Sequence, residues 1–258
     1  RRADVILTSD LKTLPIERVI ARGKTVALEG KLATDCPHLK WPDRVRRTVH
    51  VRKILEAIDF EIHAPKDCNR VTANVIGVVE NQAPTKALKR DLPVLNDIVE
   101  AAEDTCQVAL VERHNATGGV TNAFITGFNY KGKMAMASTV AHDSHHMIVV
   151  GTDRSQMALA ANRLAEVGGG ITIFRDNTEM ALVELPIAGL MSDRPAKDVA
   201  TQANKMMEAM ADCGCTLNNA YMQHSLLALV VIPELRISDL GLVDTRSFEF
   251  VPVLEQEI

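Results

Sequence analysis

His142-Asp143-Ser144-His145-His146 gathers three of the chain's eight histidines with a carboxylate and a hydroxyl. An imidazole can give or take a proton near neutral pH. A neighbouring carboxylate raises its basicity and fixes its tautomer. Ser144 and His145 are therefore the candidates for catalytic contact, and His142 and Asp143 for lining a substrate pocket or orienting its groups. On composition alone, a polar turn with solvated side chains carries about equal weight. Two further stretches hold polar groups beside apolar runs. Glu112-Arg113-His114 follows the strand-like Gln107 to Glu112 and offers Glu112 and His114, with a surface ion pair as the plainer alternative. Tyr221-Met222-Gln223-His224-Ser225 precedes the apolar stretch Leu226 to Ile232 and offers Gln223 and His224, with a helix cap as the alternative.

Other chemistries find little support. There is no HExxH and no H-x-H with further ligands at useful spacing, so the chain holds no metal site of its own. Gly118-Gly119 and Gly168-Gly169-Gly170 match neither phosphate-loop pattern and read as helix ends and turns. Cys36, Cys68, Cys106, Cys213 and Cys215 are odd in number and scattered, and the single C-x-C is a weak metal signal. They read as reduced thiols in a cytoplasmic protein.

The polar residues need stiff elements around them. Met134 to Ala141 and Met147 to Val150 are apolar and strand-like, so the histidine run lies at a strand end or turn. Val71 to Glu80 is also strand-like, and Ile171 to Phe174 with Met180 to Glu184 makes a hairpin around Asp176-Asn177. Ser155 to Val167 is helical, with Ser155 as N-cap and the glycine triplet as its stop. Pro195 precedes a second helix whose stripe Val199, Ala203, Met206 and Met210 faces a core. Before these, Val5-Ile6-Leu7, Ile16 to Ile20 and Thr25 to Leu28 form a small β-meander turned at Gly23 and Gly30. The expected organisation is a small β-sandwich segment over 1–40, a connector with short strands over 41–70 carrying Pro42 and Pro65 (Pro37 lies just before it), and an α/β domain over 71–258. The fold class is mixed α/β.

At 258 residues, 47% hydrophobic and net charge −4, the chain can bury one large core or two modest ones. Aromatics are only 3%, so the core is built from Val, Ile, Leu, Ala and Met. A mildly acidic chain lacks the electrostatic footprint of a nucleic-acid binder. Its densest basic stretch, Arg44 to Lys53, is interrupted by valines and reads as a solvated strand face. No apolar run approaches the ~20 residues of a membrane helix. The start at Arg1-Arg2-Ala3-Asp4, with an apolar run already at residue 5, reads as the C-terminal piece of a longer chain.

Three stretches resemble the C-terminal portion of the adenine deaminase family, in the amidohydrolase superfamily. They are Ala137 through Thr152, Pro186-Ile187-Ala188-Gly189-Leu190-Met191-Ser192-Asp193, and Ser225 through Asp244 with Val231-Ile232-Pro233-Glu234-Leu235-Arg236 inside it. Phe248-Glu249-Phe250-Val251-Pro252 continues the match. Arg2-Ala3-Asp4-Val5-Ile6-Leu7 and Val19 to Lys24 are similar to strands returning from an amidohydrolase barrel to its small β-domain. The resemblance implies a cytoplasmic hydrolase of purine salvage and adenine catabolism that converts adenine and water to hypoxanthine and ammonia. It implies an upstream (β/α)8 barrel holding a divalent metal, manganese or iron, with no metal ligand in this chain. The chain alone would then be inactive. Its partners would be adenine, the barrel and further copies in a homo-oligomer, with neither nucleic acid nor membrane. His146 stands where relatives often carry Asn, so it weighs less than His142, Asp143, Ser144 and His145. The other reading is a non-catalytic structural or oligomerisation domain of an amidohydrolase.

Overall fold

The computed structural model describes residues 4–35, 39–102 and 104–255. Arg1, Arg2, Ala3, Cys36 and Pro37, named above, lie outside them. The chain forms two compact units, Arg1–Trp41 and Pro42–Ile258. The first is one antiparallel meander of β1 (Val5–Thr8), β2 (Ile16–Ala21), β3 (Lys24–Leu28) and β4 (Lys31–Leu32), paired in chain order. Arg22 and Gly23 both take positive φ in the β2–β3 turn, the geometry a two-residue hairpin demands. Its last residue, Trp41, is the chain's single tryptophan and is 37% exposed.

The second unit is mixed α/β and mostly sheet. The nine strands of its main sheet are β5 (Arg70–Val78), β6 (Thr85–Leu95), β7 (Ile98–Val99), β8 (Thr105–Val111), β9 (Val120–Thr126), β10 (Met134–Ser138), β11 (Met147–Gly151), β12 (Gly170–Arg175) and β13 (Thr178–Glu184). They lie in the order β13-β12-β10-β11-β8-β9-β5-β6-β7, antiparallel except for β5 against β9. A three-stranded sheet of β14 (Leu235–Ser238), β15 (Gly241–Asp244) and β16 (Glu249–Val251) accompanies it. The helices are α1 (Arg154–Val167), α2 (Ala196–Asp212) and α3 (Ala220–Ser225). No helix among the described residues is long and apolar enough to cross a membrane.

The two-residue period of the strands sorts side chains onto two faces. Val108, Leu110, Met134, Met136, Ile148 and Val150 join the core that also holds Met206 and Met210 of α2 and Leu235 of β14. Ala109, Val111, Ala135, Ala137, Met147 and Val149 join the core of the opposite face, with Met157, Ala160, Ala161 and Leu164 of α1. Small residues on both sides let α1 sit close. A Cβ built on Gly151 would stand 2.7 Å from the Met157 Cγ and 2.9 Å from the Ala135 Cβ.

Several local expectations are corrected. The α1 N-cap is Asp153, whose side chain accepts from the Gln156 N–H, and not Ser155, which lies inside the helix. Ala203 is exposed, and Ala209 takes its place beside Met206 and Met210. The segment from Pro42 to Asn69 contains two 3-10 turns, Asp43–Val45 and Ala57–Phe60, where short strands were expected. Its backbone bonds to loops of the second unit: Val45 O accepts from Ala188 N at 2.7 Å, and His50 N donates to Arg113 O at 2.8 Å. The basic stretch is therefore a strap, with Arg46 paired to Asp193 at 2.7 Å. The hairpin turn at Asp176-Asn177 forms as read, both residues having positive φ.

The two N-cap assignments separate in one experiment. Asp153→Ala should lower unfolding stability by about 1 kcal/mol, whereas Ser155→Ala should stay within about 0.5 kcal/mol of the unchanged protein. Urea melts of both variants check this, and the reverse order would restore Ser155 as the cap.

Candidate functional site

At one end of the nine-stranded sheet, β8 and β10 finish while β9, β11 and β12 begin. Strand β10 stops at Ser138 because its hydroxyl takes the Val140 N–H at 3.0 Å and turns the chain aside. The Thr139 hydroxyl then bridges two loops, accepting from Gly170 N at 2.8 Å and donating to Gly189 O at 2.6 Å. The histidine run therefore starts from a fixed point.

His145 takes positive φ, with its N–H on Ala141 O at 2.7 Å and its ring Nδ1 3.3 Å from Ala141 N. His142 donates its N–H to Ser225 O at 2.9 Å, which ties the run to the end of α3. The His142 and His145 rings meet edge to face at 5.2 Å. Across the loop, the His114 ring lies 4.7 Å from His146 and its Nε2 sits 2.8 Å from Ser144 O. His146 is buried, with Nε2 3.6 Å from an Asp239 carboxylate oxygen and Nδ1 without a partner. Asp143 and Ser144 are exposed at the tip. Burial, then the neighbouring His142 and Arg113, lowers the His145 pKa; burial lowers that of His146 against the pull of Asp239. Each ring, neutral at pH 7, offers one donor and one acceptor.

Glu112 and Arg113 do not form the surface ion pair considered above. The buried Glu112 carboxylate accepts the N–H groups of His114 at 2.5 Å, Asn115 at 2.7 Å and Thr117 at 2.8 Å, and the Thr117 hydroxyl at 3.0 Å. Burial works against its charge, but these bonds outweigh it and bring its pKa down to about 2. Glu112 thus shapes the loop that presents His114. Arg113 is 1% exposed, and all three of its bonds go to carbonyls: Nε to His145 at 2.5 Å, Nη1 to Thr48 at 3.2 Å and Nη2 to Ala188 at 3.2 Å. Burial lowers its pKa to about 10, so it stays charged.

The structure thus brings His114, His142, Ser144, His145 and His146 together. It turns Gln223 and His224 inward: Gln223 donates to Gln82 O at 2.9 Å, and His224 packs edge-on against Phe128. The sequence reading missed Asp239, the role of Arg113 and the contribution of Gly189. The R-H pair after an apolar strand was visible, but burial of the arginine was not. No group of three or more His, Cys, Asp or Glu among the described residues could hold a metal ion. The donors of the histidine run therefore do not fit a metal centre among the described residues. Clefts lined by Val51, Leu159 and Phe174 and by Pro65, Arg70 and Glu255 lie elsewhere, and no residue of the histidine run lines either.

The loop is built from the segments 137–152, 186–193 and 225–244, and the family model for the adenine deaminase C-terminal domain matches residues 82–249, which contain all three. The chain belongs to that family. It is 75% identical over 255 residues to an adenine deaminase of Ruegeria sp. strain TM1040, covering 99% of this chain and 42% of that protein. It is 76% identical over 258 residues to one of Ruegeria pomeroyi, covering 99% of this chain and 43% of that protein. A more distant adenine deaminase, from Moorella thermoacetica, is 42% identical over 256 residues, covering 98% of this chain and 43% of that protein. The chain spans less than half the length of these curated relatives.

His224 provides a pH test of the family core. It is fully buried, and burial lowers its pKa from 6.5 to about 3 against an opposing contact with the Met136 backbone. Between those values the unfolded chain binds the proton and the folded chain does not, so stability present above pH 6.5 is lost as the pH falls toward 3. His224→Leu should remove about 2–3 kcal/mol of the stability difference between pH 7 and about pH 4.5. Urea melts at the two pH values check it, and parallel losses in both proteins would contradict a buried neutral imidazole.

Proposed function

We propose that this chain is the C-terminal part of a metal-dependent adenine deaminase, in which adenine and water become hypoxanthine and ammonia, and that its histidine run helps to close or support the active site. The observation that carries this reading is the convergence of four imidazoles, from His114, His142, His145 and His146, at one stiff end of the sheet. The three family segments named above build that end. Adenine presents an exocyclic amine and ring nitrogens, and the neutral imidazoles of His145 and His146 supply a matching donor and acceptor without a charge to desolvate. Ser144 and Asp143 at the tip add a hydroxyl and an acceptor. The reading places the divalent metal, manganese or iron, in the barrel upstream, in keeping with donors that do not converge on an ion among the described residues. The protein acts in the cytoplasm as a homo-oligomer.

The run lines neither of the clefts described above, and its exposed tip offers groups to a facing surface. Closing over the mouth of a barrel supplies that surface. Packing there without chemistry is the structural alternative, and mutagenesis separates the two. In the intact protein, His145→Ala should lower kcat/KM by roughly 10- to 1000-fold, with folding little changed. Normal kcat/KM would defeat the functional role, and joint loss of fold and activity would return the loop to a structural one. The 258-residue chain by itself should show no turnover of adenine and bind no stoichiometric manganese, iron or zinc. Turnover, or one equivalent of metal by elemental analysis, would overturn the assignment of the metal to the barrel.

A further inference from the structure

We infer that Arg113 is the positioning residue of the histidine run, and that residue 189 is glycine so that the guanidinium can reach it. Arg113 donates to carbonyls of three separate segments, at Thr48, His145 and Ala188. No carboxylate pairs with it among the described residues. A methionine or leucine would fill this space without taking a charge out of water, so packing alone gives no reason for arginine. What the planar fork adds is direction, since its donors fix the angles between the loops they join. The shortest of the three bonds ends on His145, at 2.5 Å.

Gly189 is the steric counterpart. A Cβ there would stand 2.9 Å from Nη1, 3.0 Å from Cζ and 3.1 Å from Nη2 of Arg113. Its own carbonyl accepts from the Thr139 hydroxyl at 2.6 Å, so the backbone cannot retreat freely. Gly169 faces it so closely that a Cβ on Gly169 would lie 2.5 Å from the Gly189 Cα. A side chain at 189 must therefore push the guanidinium, and the guanidinium carries His145 with it.

This inference rests on the proposed function for its activity readout, and its test separates the two. The intact protein carrying this chain is prepared unchanged and as Arg113→Ala, Gly189→Ala and the double variant. Residue 189 has φ +71, which penalises alanine in either background, so that cost cancels in the cycle. Gly189→Ala alone should lower kcat/KM for adenine by roughly 10- to 100-fold. Added to Arg113→Ala, it should cost no more than about twofold further, because the clash has gone. The second readout is the pH profile of His145 carbethoxylation, followed by peptide mass mapping. Arg113→Ala should move its midpoint upward, since a nearby positive charge and the anchor on the His145 carbonyl are both removed. If Arg113→Ala does not fold, Gly189→Ala alone carries the test through the same profile. Additive effects on kcat/KM together with an unmoved His145 midpoint would overturn the positioning role and leave the proposed function standing. Normal kcat/KM in His145→Ala with a shifted midpoint would do the reverse.

Discussion

Taking a guanidinium out of water costs several kcal/mol even after relaxation, and a fold keeps one buried only where its donors are met. Arg113 meets them with backbone carbonyls. Those carbonyls belong to the strap after the first unit, the histidine run and the loop before α2. None of the three has a strand partner at those positions, so each would otherwise bring an unpaired acceptor to a crowded sheet end. One side chain satisfies all three. Glu112, its neighbour, does the complementary task with N–H groups. Adjacent residues of opposite charge thus ignore each other and order the backbone on either side of β8.

Behind that end, the sheet supplies stiffness by an asymmetry of size. On β8, β10 and β11, the face toward α2 carries Val, Leu, Ile and Met, while the other has alanine at Ala109, Ala135 and Ala137. Large residues fill the wider gap, where a second sheet and two helices must be reached. Small ones admit α1 at close range, and Gly151 marks the closest approach. With so few aromatic rings available, tight spacing takes the place of bulk. A second caged arginine, Arg236, repeats the carbonyl arrangement with Leu226, Ile232, Pro233 and Ala83, and holds the turns leading into β14.

Much of this was legible in the residues. Apolar runs located β1 to β3, β5, β8 and β10 to β13, Asp176-Asn177 located a hairpin, and the glycine triplet located the end of α1, whereas β6, β9 and the sheet of β14 to β16 went unread. The histidine run showed itself through its composition and its flanks. What stayed hidden was long-range. Asp239 lies far from His146 in sequence and meets it because β14 and β15 fold back beside β9, where Thr121 holds the Asp239 carbonyl. The strap from Pro42 resembled a strand because its valines alternate with arginines. Its N–H and C=O groups found loops before they found a neighbouring strand. Burial of Arg113 and His224 reversed the usual expectation for polar residues, and only tertiary packing decides that.

Trp41 closes the first unit, and the second contains no indole at all, only Tyr130 and Tyr221. Tyr130 lies flat against Phe128 at 5.4 Å inside the core. Intrinsic emission excited at the red edge therefore comes from Trp41 alone, and no residue of the second unit contributes to it. Tyrosine absorbance reports on that unit. The two units thus carry different intrinsic chromophores, an indole at the end of the first and two phenols in the second, without an added probe.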